Sequence, residues 1–204
     1  YRITGNLLFF SGDLDSAHFY YKKALSEIKD NDPRSLKNKA SCLQNIGIIL
    51  TEKGVISEAK DYFLESLNLK KTLLGINSTS FAIANLNMGN YLLENEDFDG
   101  AEKFLERAEK ILKNNYGENS ALLTETYLLK GKLLYSKWEF NKALLYFGKS
   151  LNIANKHFKN PNTTIFTNFF NIGKCYEKFH NYDLAFIFYH KSIRQYFPEI
   201  TKAY

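Results

Sequence analysis

The chain has 204 residues, 45% hydrophobic and 24% charged, with 11 glycines and 3 prolines. That suffices for a sizeable buried core and excludes collagen-like, low-complexity or wholly disordered structure. Cys42 and Cys175 are too few for a disulfide framework or a cysteine-ligated structural zinc site, and no apolar run approaches the ~20 residues that span a bilayer. No signal-peptide pattern opens the chain, so a cytoplasmic protein is expected. Its start at Tyr1 rather than a methionine suggests a mature product or an excised fragment.

A 42-residue period organises the sequence. Gly5, Gly47, Gly89, Gly131 and Gly173 are spaced by 42, and twelve residues after each comes Ala17, Ala59, Ala101, Ala143 or Ala185. Four residues beyond each alanine the side chain is large: Tyr21, Phe63, Leu105, Phe147 and Tyr189. Seven beyond, it is small: Ala24, Ser66, Ala108, Ser150 and Ser192. Spacings of three, four and seven are helical, so each unit is predicted to be two helices.

In chain order, the first unit (1–33) turns at Ser11-Gly12-Asp13 and ends at the link Asn31-Asp32-Pro33. The second (34–75) turns at Lys53-Gly54 and links through Gly75-Ile76-Asn77-Ser78. The third (76–117) has helices over about 79–95 and 98–114 around the acidic turn Asn95-Glu96-Asp97, each about 25 Å long. A link Gly117-Glu118-Asn119-Ser120 opens the fourth unit (118–159), and Asn160-Pro161-Asn162 opens the fifth (160–197), leaving a tail over 198–204. Short links favour antiparallel neighbours. A glycine inside a helix costs ~0.5–1 kcal/mol relative to alanine, so five at one position imply close helix–helix approach. The expected fold is all-α: a right-handed superhelical solenoid of five antiparallel helix pairs, one array over 1–204.

These columns resemble the tetratricopeptide repeat (TPR), which carries the same Gly, Ala, Phe/Tyr, Ala pattern at the same offsets. The longer unit is similar to the subclass found in kinesin light chains. So are Lys71-Thr72-Leu73-Leu74-Gly75, Ala84-Asn85-Leu86-Asn87-Met88-Gly89 and Leu112-Lys113-Asn114-Asn115-Tyr116-Gly117. Two departures stand out: Lys130 replaces the apolar residue before Gly131, and Asn85 the apolar residue four before Gly89.

The resemblance implies a concave surface lined by the first helix of each pair, on which a peptide or partner helix binds. Inward positions are expected two before, one after, and four and five after each glycine. Two before lie Ile3, Asn45, Asn87, Leu129 and Asn171, and the asparagines, in three repeats of five, resemble an asparagine ladder. A carboxamide offers a donor and an acceptor, and can pair with an extended backbone whatever its side chains. One after lie Asn6, Ile48, Asn90, Lys132 and Lys174, and five after Gly173 lies Lys178. The expected peptide-binding set is therefore Asn6, Asn45, Asn87, Asn90, Lys132, Asn171, Lys174 and Lys178, with Phe9, Phe10, Tyr135 and Phe170 as possible aromatic anchors. A carboxylate clamp of the chaperone-binding kind is disfavoured. Arg2, Asn6 and Asn45 fit it, but Ile83 and Asn87 stand where two basic residues are needed.

Net charge is +5, resolved into −1 over residues 1–140 and +6 over 141–204. The basic end suggests an acidic or phosphorylated partner segment rather than a phosphate track, because the lysines are spread one or two to a turn. No catalytic residue, metal site or cofactor is expected. His18, His157, His180 and His190 are scattered, the cysteines lack an activating partner, and no glycine-rich phosphate loop occurs. The function expected is a non-catalytic protein–protein interaction module binding neither nucleic acid nor membrane, a fragment of a longer array whose end repeats are covered by further repeats, a capping helix or self-association. The alternative is a regulatory or sensor array within a larger protein, such as a peptide-sensing regulator, a sensor kinase or a caspase-like protease fusion.

Overall fold

A computed structural model describes residues 1–29, 32–159, 161–195 and 197. Asn31, Asn160 and the tail 198–204, to which the sequence assigns links and a terminal extension, lie outside the described residues. Within them the protein is all-helical, without strands. Its helices are α1 (Arg2–Phe10), α2 (Leu14–Glu27), α3 (Pro33–Glu52), α4 (Ile56–Leu74), α5 (Thr79–Glu94), α6 (Phe98–Tyr116), α7 (Leu123–Ser136), α8 (Phe140–His157), α9 (Thr163–Lys178) and α10 (Tyr182–Ile193).

The chain forms two compact units, Tyr1–Ile111 and Leu112–Tyr204, with the boundary inside α6. In the first, α1 packs on α2, α2 on α3, α3 on α4 and α4 on α5, and α3 also touches α5. In the second, α7 packs on α8, α8 on α9 and α9 on α10, and α7 touches α9. Each unit thus sets first helices of successive pairs side by side.

Side-chain caps fix where several of the helices begin. Asp13 accepts from the Ser16 amide (3.1 Å) and Asp32 from the Arg34 amide (2.8 Å), with Pro33 at the first helical position. Asp97 accepts from the Gly100 amide (2.9 Å), and Asn162 from the Thr164 amide (2.9 Å). The turn Asn95-Glu96-Asp97 accordingly sets Asp97 at the N-terminus of α6, where a carboxylate is favoured by the exposed amides.

The turn inside each pair is the same in all five. Gly12, Gly54, Glu96, Trp138 and His180 stand 42 apart and all have left-handed backbone, with φ of 84°, 74°, 59°, 62° and 57°. The next residue's amide reaches back to the preceding helix: Asp13 to Leu8 O, Val55 to Leu50 O, Asp97 to Leu92 O, Glu139 to Leu134 O and Asn181 to Tyr176 O, at 2.8–3.0 Å. Sequence reasoning finds the two glycines, whereas Trp138 and His180 carry no turn signal. There the helical register imposes the turn against the residue's preference.

The glycine column has one structural cause. A Cβ on Gly5, Gly47, Gly89 or Gly173 would lie 2.7–2.8 Å from Tyr21, Phe63, Leu105 or Tyr189, and one on Gly131 would lie 2.4 Å from Phe147. The close approach expected from sequence is thus between each glycine and the large side chain sixteen residues later. Those side chains fill the interior, with Tyr21, Phe63, Leu105 and Phe147 buried beside the buried alanine column.

Candidate binding face

In the first unit, the asparagines begin with a relay. The Tyr21 hydroxyl donates to Asn6 Oδ1 (2.8 Å), and Asn45 Nδ2 donates to that hydroxyl (2.9 Å), with Asn6 Oδ1 also 3.4 Å from Asn45 Nδ2. Asn6 on α1 and Asn45 on α3 are therefore joined through a residue of the core column on α2. On α5, Asn87 has its Nδ2 buried without a hydrogen-bond partner, and Asn90 is half-buried nearby. Asn85, one of the two departures, is fully buried. Its Nδ2 donates to Phe81 O (2.7 Å) and its Oδ1 lies 3.4 Å from Arg107, so the polar intrusion is satisfied locally.

The second unit holds the remaining predicted residues on α7 and α9. Asn171 is buried, and its Nδ2, like that of Asn87, has no partner. Lys132 is half-buried on α7. On α9, Lys174 lies over the Tyr135 ring at 4.6 Å and Lys178 over the Trp138 ring at 5.5 Å. These rings continue through Phe140, 5.2 Å from Tyr135 and 5.8 Å from Trp138, to Phe179 at 6.0 Å from Phe140. The two cations, one helical turn apart, are held on ring faces, where the aromatic quadrupole attracts them. Trp138, the sole tryptophan, is 74% exposed at the rim of a cleft it forms with Phe140 and Phe179. Sequence reasoning finds Tyr135, Lys174 and Lys178 but misses Trp138, because it lies on the turn rather than in a helical column.

Among the other aromatic candidates, Phe10 is exposed and Phe9 half-buried, their rings 6.0 Å apart. Phe170 is exposed on α9, stacked with Phe166 (6.3 Å) and 5.5 Å from Tyr189. Lys130, the other departure, is buried with its ammonium 4.9 Å from the Tyr146 ring, a surface that accepts a cation where an apolar side chain was expected.

The titratable groups show what this interior does to charge. Burial pushes the Cys42 thiol up to about 11 and the Cys175 thiol up to about 12, keeping both protonated and unreactive at neutral pH. Lys70, 8% exposed on α4, is pushed down by burial to about 8, with Gln44 Oε1 accepting from its ammonium. Among the described residues no group of three His, Cys, Asp or Glu side chains is placed to hold a metal, and no helix is long and apolar enough to cross a membrane.

Comparison with known proteins follows the same lines. Profiles described as tetratricopeptide repeat match residues 39–80 and 80–156, together more than half of the chain. No curated protein matches in sequence. Three solved structures are similar in fold. BtubC (BKLC) from P. vanneervenii has a TM-score of 0.74 at 20% identity, over 98% of this chain and 79% of that one. A putative kinesin light chain of nearly identical TPR-like repeats from Podosopora anserina gives 0.68 at 9% identity, over 100% and 95%. The apo form of RapI gives 0.68 at 17%, over 99% and 64%. With helix pairs, column chemistry and family profiles in agreement, the chain belongs to the tetratricopeptide repeat family, here with a 42-residue unit.

Proposed function

We propose that this protein is a non-catalytic interaction module that holds an extended peptide or a partner helix against the first helices of its pairs. The observation that carries this reading is the asparagine column. Asn87 and Asn171 keep a buried carboxamide nitrogen without a partner at positions where the fourth unit carries a buried leucine, Leu129. An unpaired buried amide costs about 1–3 kcal/mol, so the fold alone favours an apolar residue there. Ligand binding supplies a reason for asparagine, because a carboxamide pairs with a peptide backbone.

Charge supports an acidic partner segment. The compact unit Leu112–Tyr204 has a formal charge of +7 against −2 for Tyr1–Ile111, and Lys132, Lys174 and Lys178 lie on its α7 and α9. We read residues 1–204 as one array, acting in the cytoplasm on a protein partner rather than on nucleic acid or membrane. Self-association through the end repeats belongs to the same reading. The test is partner capture with the intact chain against a variant carrying alanine at Asn45, Asn87 and Asn171. Loss of the captured partner is expected, and an unchanged partner would exclude this face.

A further inference from the structure

The 24-residue step from Tyr21 to Asn45 recurs along the chain, but its chemistry changes. The same step leads from Phe63 to Asn87 and from Phe147 to Asn171. The surroundings match. Phe63 covers Gly47 as Tyr21 covers Gly5, and its ring is 5.7 Å from Tyr91, one helical turn beyond Asn87. Phe147 covers Gly131 and shares a core cluster with Ile172 and Cys175, which flank Asn171 closely. What differs is the set of polar partners: Ile48 and Lys132 stand where the first repeat has Asn6, and the ring hydroxyl is missing. Tyr21 has a hydroxyl that Asn45 Nδ2 uses; Phe63 and Phe147 have none, and Asn87 Nδ2 and Asn171 Nδ2 are the two carboxamide nitrogens of the column left unpaired.

We infer that the asparagine column is divided by function: Asn45 is a structural tie held by Tyr21, and Asn87 and Asn171 are the rungs that engage a ligand's peptide backbone. This rests on the interaction-module reading and deepens it. A carboxamide whose nitrogen is bonded is fixed in orientation. One without a partner can turn about its last side-chain bond to present either donor or acceptor. The tyrosine-or-phenylalanine choice in the preceding unit therefore sets which rungs are free. The ligand class is an extended segment read through its backbone N–H and C=O groups, at Asn87 in Tyr1–Ile111 or at Asn171 in Leu112–Tyr204.

Two measurements on the intact chain test this. In denaturation, Tyr21→Phe removes the tie and is expected to lower the melting midpoint by about 2–4 °C. Phe63→Tyr and Phe147→Tyr supply the missing hydroxyl and are expected to raise it by a similar amount. Midpoints that fall for Phe63→Tyr and Phe147→Tyr would overturn the inference. In binding, the probe is a short peptide selected by display on the wild-type chain. The Phe63→Tyr/Phe147→Tyr pair is expected to weaken it about tenfold over the two rungs, and Tyr21→Phe, which unties Asn45, not to weaken it. A peptide weakened by Tyr21→Phe but indifferent to the tyrosine pair would overturn the division of roles. A peptide that binds the Asn87→Leu/Asn171→Leu variant as tightly as wild type would overturn both the ligand assignment and the interaction face. The denaturation series still reports on the Tyr21–Asn45 tie by itself, so the two failures are distinguishable.

Discussion

Gly131 and Phe147 share one space: a Cβ on the glycine would lie 2.4 Å from the ring, the tightest approach among the five glycines of the column. Gly148, one residue after Phe147 and also helical, has open space where its Cβ would be. Gly131→Ala is therefore expected to destabilise by about 1–3 kcal/mol through overpacking. Gly148→Ala is expected to stabilise by about 0.5–1 kcal/mol through helix propensity. Urea denaturation of the two variants checks the pair, and equal effects would refute the packing explanation.

Glu96 sits at a left-handed position that Gly12 and Gly54 occupy in other units, and its side chain is exposed. A non-glycine residue there costs roughly 1–2 kcal/mol. Glu96→Gly is expected to raise stability by about 1 kcal/mol after the entropy lost with glycine, as read by thermal melting. Gly54→Ala should move the melt in the opposite direction.

Lys70 gives a pH signature whose sign is fixed by burial. Its folded value of about 8 lies below its ordinary 10.5, so between these limits the unfolded chain binds more protons and stability rises with pH. At neutral pH the buried ammonium destabilises by up to about 3 kcal/mol. Lys70→Met is expected to be more stable than wild type at pH 7, with the gap closing as pH rises from 8 to 10.5. A gap that is constant with pH would show that the ammonium is not burdened in the fold.

Lys174 and Lys178 should act through charge. Replacing both with glutamate is expected to reduce affinity for an acidic partner peptide and to flatten its dependence on salt. Replacing both with glutamine should have an intermediate effect. If wild-type affinity is insensitive to salt between low and physiological ionic strength, the electrostatic part of the proposal fails.

Much of the architecture is legible in the sequence because packing recurs at fixed offsets. The sixteen-residue step from each glycine to its covering side chain is contained in the glycine, alanine and large-residue columns. The turns at Gly12 and Gly54 are legible too, since glycine announces left-handed backbone. Those at Trp138 and His180 are not, because the flanking helices rather than the residue decide the conformation there. On the binding face, the positions of Asn45, Asn87 and Asn171 follow from the period. Their unequal hydrogen bonding does not, because it depends on a hydroxyl 24 residues away. Lys130 reads as an error in an apolar column until the Tyr146 ring beneath its ammonium is seen.

Trp138 gives the chain a built-in optical reporter. As the sole tryptophan, it confines indole emission to the turn between α7 and α8, and its exposed ring beneath Lys178 makes that emission sensitive to whatever displaces the lysine or covers the ring. Fluorescence and far-ultraviolet dichroism followed side by side therefore separate events at one edge of one unit from changes in the helices at large, without any label being introduced.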